Sequence, residues 1–264
     1  MRGALLSGLC SAFWIARPAG SRTPCQGGQV MKRSLVLGIL TAFLSMAVYG
    51  VAHAEFSGGL KLASHYAWQG GSESAEEPAL QGSMYYNFDA CYAGFWASSA
   101  DYPGGIEIDY ETGCGGSLTD NLGWNVDLIY LTYPGATEEN LFELRLKLSA
   151  DLGVASVWGR VLFPTWPDQD GPDQNTSGHN RPQFGLTVPL GDAPVSVSAT
   201  YGQDNNRPNC DDYDWYHVSV DTSFKGFGLS AFYSDRSDRE PRCGQSGPGK
   251  AEDGIFGVSI SRGF

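Results

Sequence analysis

Nowhere after residue 54 does the chain sustain a helical repeat of apolar residues, which argues against a bundle or an α/β domain. Charged residues make up only 17% of it, too few for a surface built of charged helices. Histidine occurs four times in 264 residues, and no Cys/His spacing suits a metal site. Acidic residues are wholly missing from residues 1–54, where five basic ones stand: Arg2, Arg17, Arg22, Lys32 and Arg33. The remainder carries 12 basic against 29 acidic residues, a net −17. A polypeptide that acidic repels nucleic acid, so that partner class is excluded.

The charge asymmetry has a cause. Met31-Lys32-Arg33 forms a basic n-region, residues 35–48 an apolar h-region, and Ala52-His53-Ala54 a small-x-small cleavage site. Together they read as a secretory signal peptide over 31–54, too short and too promptly ended to span a membrane as a helix. Residues 1–30 read as an upstream extension, with 55–264 as the mature domain. The alternative is that the apolar run 4–16 belongs to a longer export signal. Four cysteines remain after cleavage (Cys91, Cys114, Cys210 and Cys243), and export makes disulfides possible.

What the chain does have is glycine (35 residues), aromatics (12%) and a period of two. Phe142, Leu144, Leu146 and Leu148 alternate with Glu143, Arg145, Lys147 and Ser149. Ile106, Ile108 and Tyr110 alternate with Glu107, Asp109 and Glu111. Leu60, Leu62, Ser64, Tyr66 and Trp68 interleave with Lys61, His65 and Gln69. Similar runs bring the count to about twelve strands, two of them, near 91–101 and 154–163, alternating poorly. Each strand thus has one face in an apolar medium and one in a polar medium.

A soluble sandwich alternates as well, but three features select a membrane. Connections after odd-numbered strands are mostly long and polar (70–78, 133–140, 164–182, 203–213, 235–252), whereas those after even-numbered strands are mostly brief (89–90, 151–153, 191–194, 225–226). Aromatics bracket aliphatics on the apolar face: Phe256 and Phe264 enclose Val258 and Ile260, and Tyr216 and Phe224 enclose Val218 and Val220. Eight residues of tilted strand cover on the order of 21 Å, close to a ~25 Å apolar band. Tyr66, Trp68, Tyr201 and Tyr233 are expected at the long-loop rim, with Phe88, Trp124 and Phe227 opposite. Finally, the chain stops at Phe264 in phase with Phe256, Val258 and Ile260, like the terminal signal read by the barrel assembly machinery. The expected fold is an all-β transmembrane up-and-down antiparallel barrel of about 12 strands in a Gram-negative outer membrane. It must close, because an open edge would leave backbone groups unpaired in lipid.

Tight turns fix register. A turn at Asp89-Ala90 sets Phe88 opposite Cys91, and a hairpin centred on Tyr102-Pro103 sets Cys91 opposite Cys114. The same register puts Trp96 beside Asp109 and Ser98 beside Glu107, all inward. Hence a Cys91–Cys114 disulfide is expected at the short-turn rim and Cys210–Cys243 between two outer loops, with four free thiols as the alternative. The inward row Glu107, Asp109, Glu111 is the sharpest chemical feature. Carboxylates about 7 Å apart repel by roughly 0.6 kcal/mol in water and ~2.4 kcal/mol at an effective dielectric of 20. Arg145, Lys147 and Lys61 are the inward cations set against them, with Asp127 also inward. Opposed walls of this kind either select what passes or form a salt-bridged plug.

No catalytic constellation is legible. His65 and His217 fall on the inward phase, and no serine stands with a His and an acid on the lipid side. Asp168, Asp170 and Asp173 lack the EF-hand order. No cofactor and no metal is expected; the partners expected are outer-membrane lipid, the assembly machinery, and small hydrophilic solutes or ions.

The stretch Ala63-Ser64-His65-Tyr66-Ala67-Trp68-Gln69-Gly70-Gly71-Ser72-Glu73-Ser74, followed by Pro78-Ala79-Leu80-Gln81-Gly82, resembles the opening of the TorF-type porin family, also called Gcw_chp. So do Ala93-Gly94-Phe95-Trp96-Ala97-Ser98-Ser99, Ile106-Glu107-Ile108-Asp109-Tyr110 and Tyr130-Leu131-Thr132-Tyr133-Pro134-Gly135. The blocks run in family order over about the first 80 mature residues. Departures are Trp68-Gln69, where an aromatic-Arg pair is expected, and the four cysteines. The resemblance implies an outer-membrane barrel and a channel, with no substrate attached; the function expected is passive diffusion of small solutes or ions. The alternatives are a closed barrel acting as a membrane anchor or adhesion surface through its outer loops, and an outer-membrane enzyme.

Overall fold

A computed structural model describes residues 54–165, 179–205, 211–237 and 254–264. Apart from Ala54, the export segment lies outside them, as do Cys210, Cys243 and the acidic run 168–173.

Among the described residues fourteen strands follow one another: β1 (Ala54–Ala63), β2 (Ala67–Trp68), β3 (Gly71–Ser72), β4 (Ala79–Phe88), β5 (Cys91–Ser99), β6 (Ile106–Thr119), β7 (Leu122–Thr132), β8 (Leu141–Asp151), β9 (Ser156–Thr165), β10 (Arg181–Pro189), β11 (Val195–Asp204), β12 (Tyr213–Phe224), β13 (Phe227–Arg236) and β14 (Ile255–Gly263). β2 and β3 pair with each other, and the other twelve form one antiparallel sheet. β1 joins β14, so the sheet closes as a twelve-stranded barrel. Closure satisfies the backbone groups that lipid cannot.

The register expected from the tight turns is the one observed: Phe88 faces Cys91, Cys91 faces Cys114, Trp96 faces Asp109 and Ser98 faces Glu107. Lys225 and Gly226 both have positive φ, the backbone twist that a two-residue hairpin requires. The apolar phase of each strand turns outward, with Leu144, Leu146, Leu148, Val218, Val220 and Val258 all exposed. Phe256 and Phe264, 75% and 73% exposed, border this belt at opposite ends of β14. Such an exterior is stable in lipid and would aggregate in water. The protein is therefore an outer-membrane barrel.

Inside, five bulky rings lie over glycines of the adjoining strand. A Cβ placed on Gly94, Gly113, Gly185, Gly202 or Gly257 would overlap Tyr85, Tyr92, Trp158, Trp215 or Phe232 respectively. Large side chains thus fold flat against the wall.

Cys91 and Cys114 form a disulfide between β5 and β6. It closes a loop of 23 residues in sequence separation, for which the chain-entropy relation gives a stabilisation of about 3 kcal/mol. Cys91→Ser with Cys114→Ser is expected to lower the unfolding free energy by up to about that amount, read by urea titration of the protein refolded in vesicles. The strand ladder persists.

One expectation fails. Tyr66 and Trp68 do not join the lipid-facing girdle at the long-loop rim. β1 ends at Ala63, where it pairs with both Ala79 and Ser259, and the chain then bends inward. Tyr66 is 8% exposed within an apolar cluster with Tyr102, Ile129, Leu131 and Tyr133, and Trp68 packs against it. The apolar period continued through the bend, but its medium changed from lipid to protein interior.

Candidate functional site

Residues 64–78 fold into the barrel as a small hairpin. β2 and β3 pair through Ala67↔Ser72 and Trp68↔Gly71, and the turn between them has positive φ at both Gln69 and Gly70. Gly70 sits so close to β13 that a Cβ there would meet the Asp235 carbonyl and Arg236. The Tyr213 hydroxyl on β12 donates to Gln69 Oε1 at 3.3 Å. The Tyr66 hydroxyl donates to Glu107 Oε1 on β6 at 3.3 Å, and the Tyr102 hydroxyl donates to Glu73 Oε2 at 3.0 Å. On the far side, the Arg145 and Arg160 guanidiniums stand 5.8 and 6.0 Å from the Trp68 ring. The hairpin therefore spans the interior, held by strands from several sides. Burial pushes the Tyr66 phenol well above its usual range, and Glu107 and Glu73 add to this. It remains a donor to Glu107.

Beneath the hairpin lies a cavity of about 560 Å³, lined among others by Lys61, Trp96, Glu107, Asp109, Glu111 and Arg145. Six of the eight pore-lining candidates thus share one chamber. Asp127 and Lys147 also face inward, from β7 and β8, opposite Arg145 and Asn125 respectively. Of the charged residues in the chamber wall, four are acidic (with Asp221) and two basic. Glu107 and Asp109 are only 2% and 5% exposed. Glu111 accepts from the Tyr85 hydroxyl at 2.8 Å, and Asp127 from the Tyr92 hydroxyl at 2.6 Å. The carboxylates are thereby aimed and held.

The opposite wall carries a chain of ion pairs that sequence reasoning did not assemble. Glu143, fully buried, takes Arg145 Nε at 2.5 Å and Arg181 Nη1 at 3.4 Å. Arg181 Nε reaches Asp204 at 3.2 Å, and His179 Nε2 meets the same carboxylate at 2.5 Å. Glu143 was in phase with Arg145 and Lys147, so its inward placement was legible. Arg181 was hidden beside Pro182 at the end of a long loop. Arg160 sits in a strand whose inner face also carries Trp158 and Leu162, which erased the alternation. Among the described residues no group of three or more His, Cys, Asp or Glu is arranged to hold a metal ion.

A family model described as a bacterial protein of unknown function (Gcw_chp) matches residues 49–264. Comparison with curated proteins finds no match. Among solved structures, the chain is similar to the NanC porin at 10% identity, covering 79% of this chain and 99% of that one, with a TM-score of 0.51. It is also similar to OmpT, an outer-membrane protein of Vibrio cholerae, at 11% identity over 80% and 99% of the two chains, with a TM-score of 0.43. At 10% identity the likeness to NanC is one of fold.

Proposed function

Because the chain belongs to the Gcw_chp family of bacterial proteins of unknown function, and because its barrel is lipid-coated outside and charged inside, we propose that it is a narrow diffusion channel for small hydrophilic solutes and ions. The chamber of about 560 Å³ between the acidic row of β6 and Arg145 carries this reading. Charged side chains at mid-membrane depth in a lipid-embedded barrel are costly unless they face a lumen. A wall of opposed signs sets a transverse field, which favours small polar solutes and disfavours apolar ones. The excess of carboxylates gives a preference for cations. No reaction is part of the proposal: the His179–Asp204 pair is tied to Arg181 and Glu143, an arrangement that braces the wall rather than activating a hydroxyl.

A second reading is a closed barrel acting through its outer loops. The hairpin lying across the mouth favours it. Planar-bilayer recording separates the two. The expected result is steady ohmic steps with a cation-side reversal potential, moving toward anions when Glu107→Gln, Asp109→Asn and Glu111→Gln are combined. Silence from folded protein would favour the closed barrel, and an unmoved reversal potential would remove the acidic row from the conduction path.

A further inference from the structure

On the basic wall, Lys147 and Arg160 are direct cross-strand partners of β8 and β9, both on the inward phase. Like charges placed opposite one another, with Cβ atoms about 5 Å apart, destabilise a sheet unless something neutralises them. Both cations lie over the same ring: Lys147 Nζ is 5.4 Å and the Arg160 guanidinium 5.1 Å from the Trp158 centroid. No ion pair engages either of them among the described residues, in contrast to Arg145 and Arg181. The carboxylates that act on them through space, Asp127 and Glu143, are committed to Tyr92 and to Arg145 and Arg181.

A third group completes the pattern. Arg160 Nε donates to Gln183 Oε1 at 2.6 Å. Since a guanidinium can only donate, the Gln183 amide is fixed with its oxygen toward Arg160. Its NH2 group is buried and meets no acceptor among the described residues. Three adjacent residues thus bring donors and positive charge together with a single acceptor, Gln183 Oε1, which Arg160 Nε already occupies. An unsatisfied buried donor is costly, and an anion held by the Lys147 and Arg160 charges would bring an acceptor to the Gln183 amide.

We propose that Lys147, Arg160 and Gln183, floored by Trp158, form a binding subsite for a small oxyanion, a carboxylate or a phosphate, on the lumen wall. The subsite stands apart from the acidic row and is independent of whether the barrel conducts. Where it does conduct, a solute bearing both an ammonium and a carboxylate meets an attractive wall for each.

The test uses the folded barrel in nonionic detergent and inorganic phosphate as probe, at constant ionic strength, read by broadening of the phosphorus-31 resonance. The wild type is expected to broaden the line saturably. Lys147→Met and Arg160→Gln should each weaken the apparent affinity at least fivefold, whereas Lys225→Met, which removes an equal charge from a distant turn, leaves it unchanged. Displacement by gluconate assigns the subsite to carboxylates as well; phosphate retained in excess gluconate restricts it to phosphate. Because Arg160 also braces Gln183, Lys147→Met decides the matter if Arg160→Gln fails to fold. No saturable broadening in the wild type, or undiminished broadening in folded Lys147→Met, overturns the proposal.

Discussion

Replacing residues 64–78 by an Asn-Gly turn is expected to raise single-channel conductance several-fold while leaving the barrel folded. Ala63 and Ala79 are already ladder partners, so a two-residue turn can join β1 to β4 without disturbing their register. What disappears is the hairpin whose ring lies between Tyr66 and Arg145: the Trp68 indole, the Tyr66–Glu107 hydrogen bond and the Gln69 contact to Tyr213. Conductance follows the narrowest cross-section, and these residues reach across the interior from β6 and β8 to β12. The measurement is the step amplitude in a planar bilayer, with retained strand content as the folding control. An unchanged step would locate the constriction elsewhere. A wild type that is silent and a variant that conducts would make the hairpin a full closure.

Glu143→Leu is expected to cost about 3–5 kcal/mol of stability, because removing one partner of a buried ion pair leaves the other charged and unmatched. Glu143 serves two cations, and it is fully buried. Arg181 retains Asp204, but Arg145 loses its only recorded ion-pair partner among the described residues. Glu143→Gln, which keeps the shape and one acceptor oxygen, should cost less. Urea titration of protein refolded in vesicles reads both values. A loss below about 1 kcal/mol for the leucine variant would place the pair in the regime of solvent-exposed salt bridges, with water reaching Arg145 from the lumen.

The strand order, the register of β4 through β6 and the Cys91–Cys114 link were all legible, because tight turns and a period of two leave little freedom once one face must meet lipid. The acidic row was legible for the same reason. Tyr66 and Trp68 were not: alternation reports that a side chain avoids water, and it does not distinguish a lipid tail from an interior cluster. The only local hint was the Gln69-Gly70 pair, which reads as a surface turn until Gly70 is seen against Asp235. The basic wall was half legible. Arg145 and Lys147 follow from their phase in β8, whereas Arg160 and Arg181 lie on strands where Trp158, Leu162 and Pro182 blur the pattern. Where both faces of a strand are apolar, periodicity carries no orientation.

The flat-lying rings have a consequence for how such a barrel can change over time. Each ring and the glycine beneath it act as an interchangeable tile. Combining Trp158→Gly with Gly185→Trp moves bulk one strand sideways and leaves the lipid coat and the backbone ladder alone. The inner contour can therefore drift by paired exchanges, so one shell is able to host differently shaped interiors without re-engineering its anchorage.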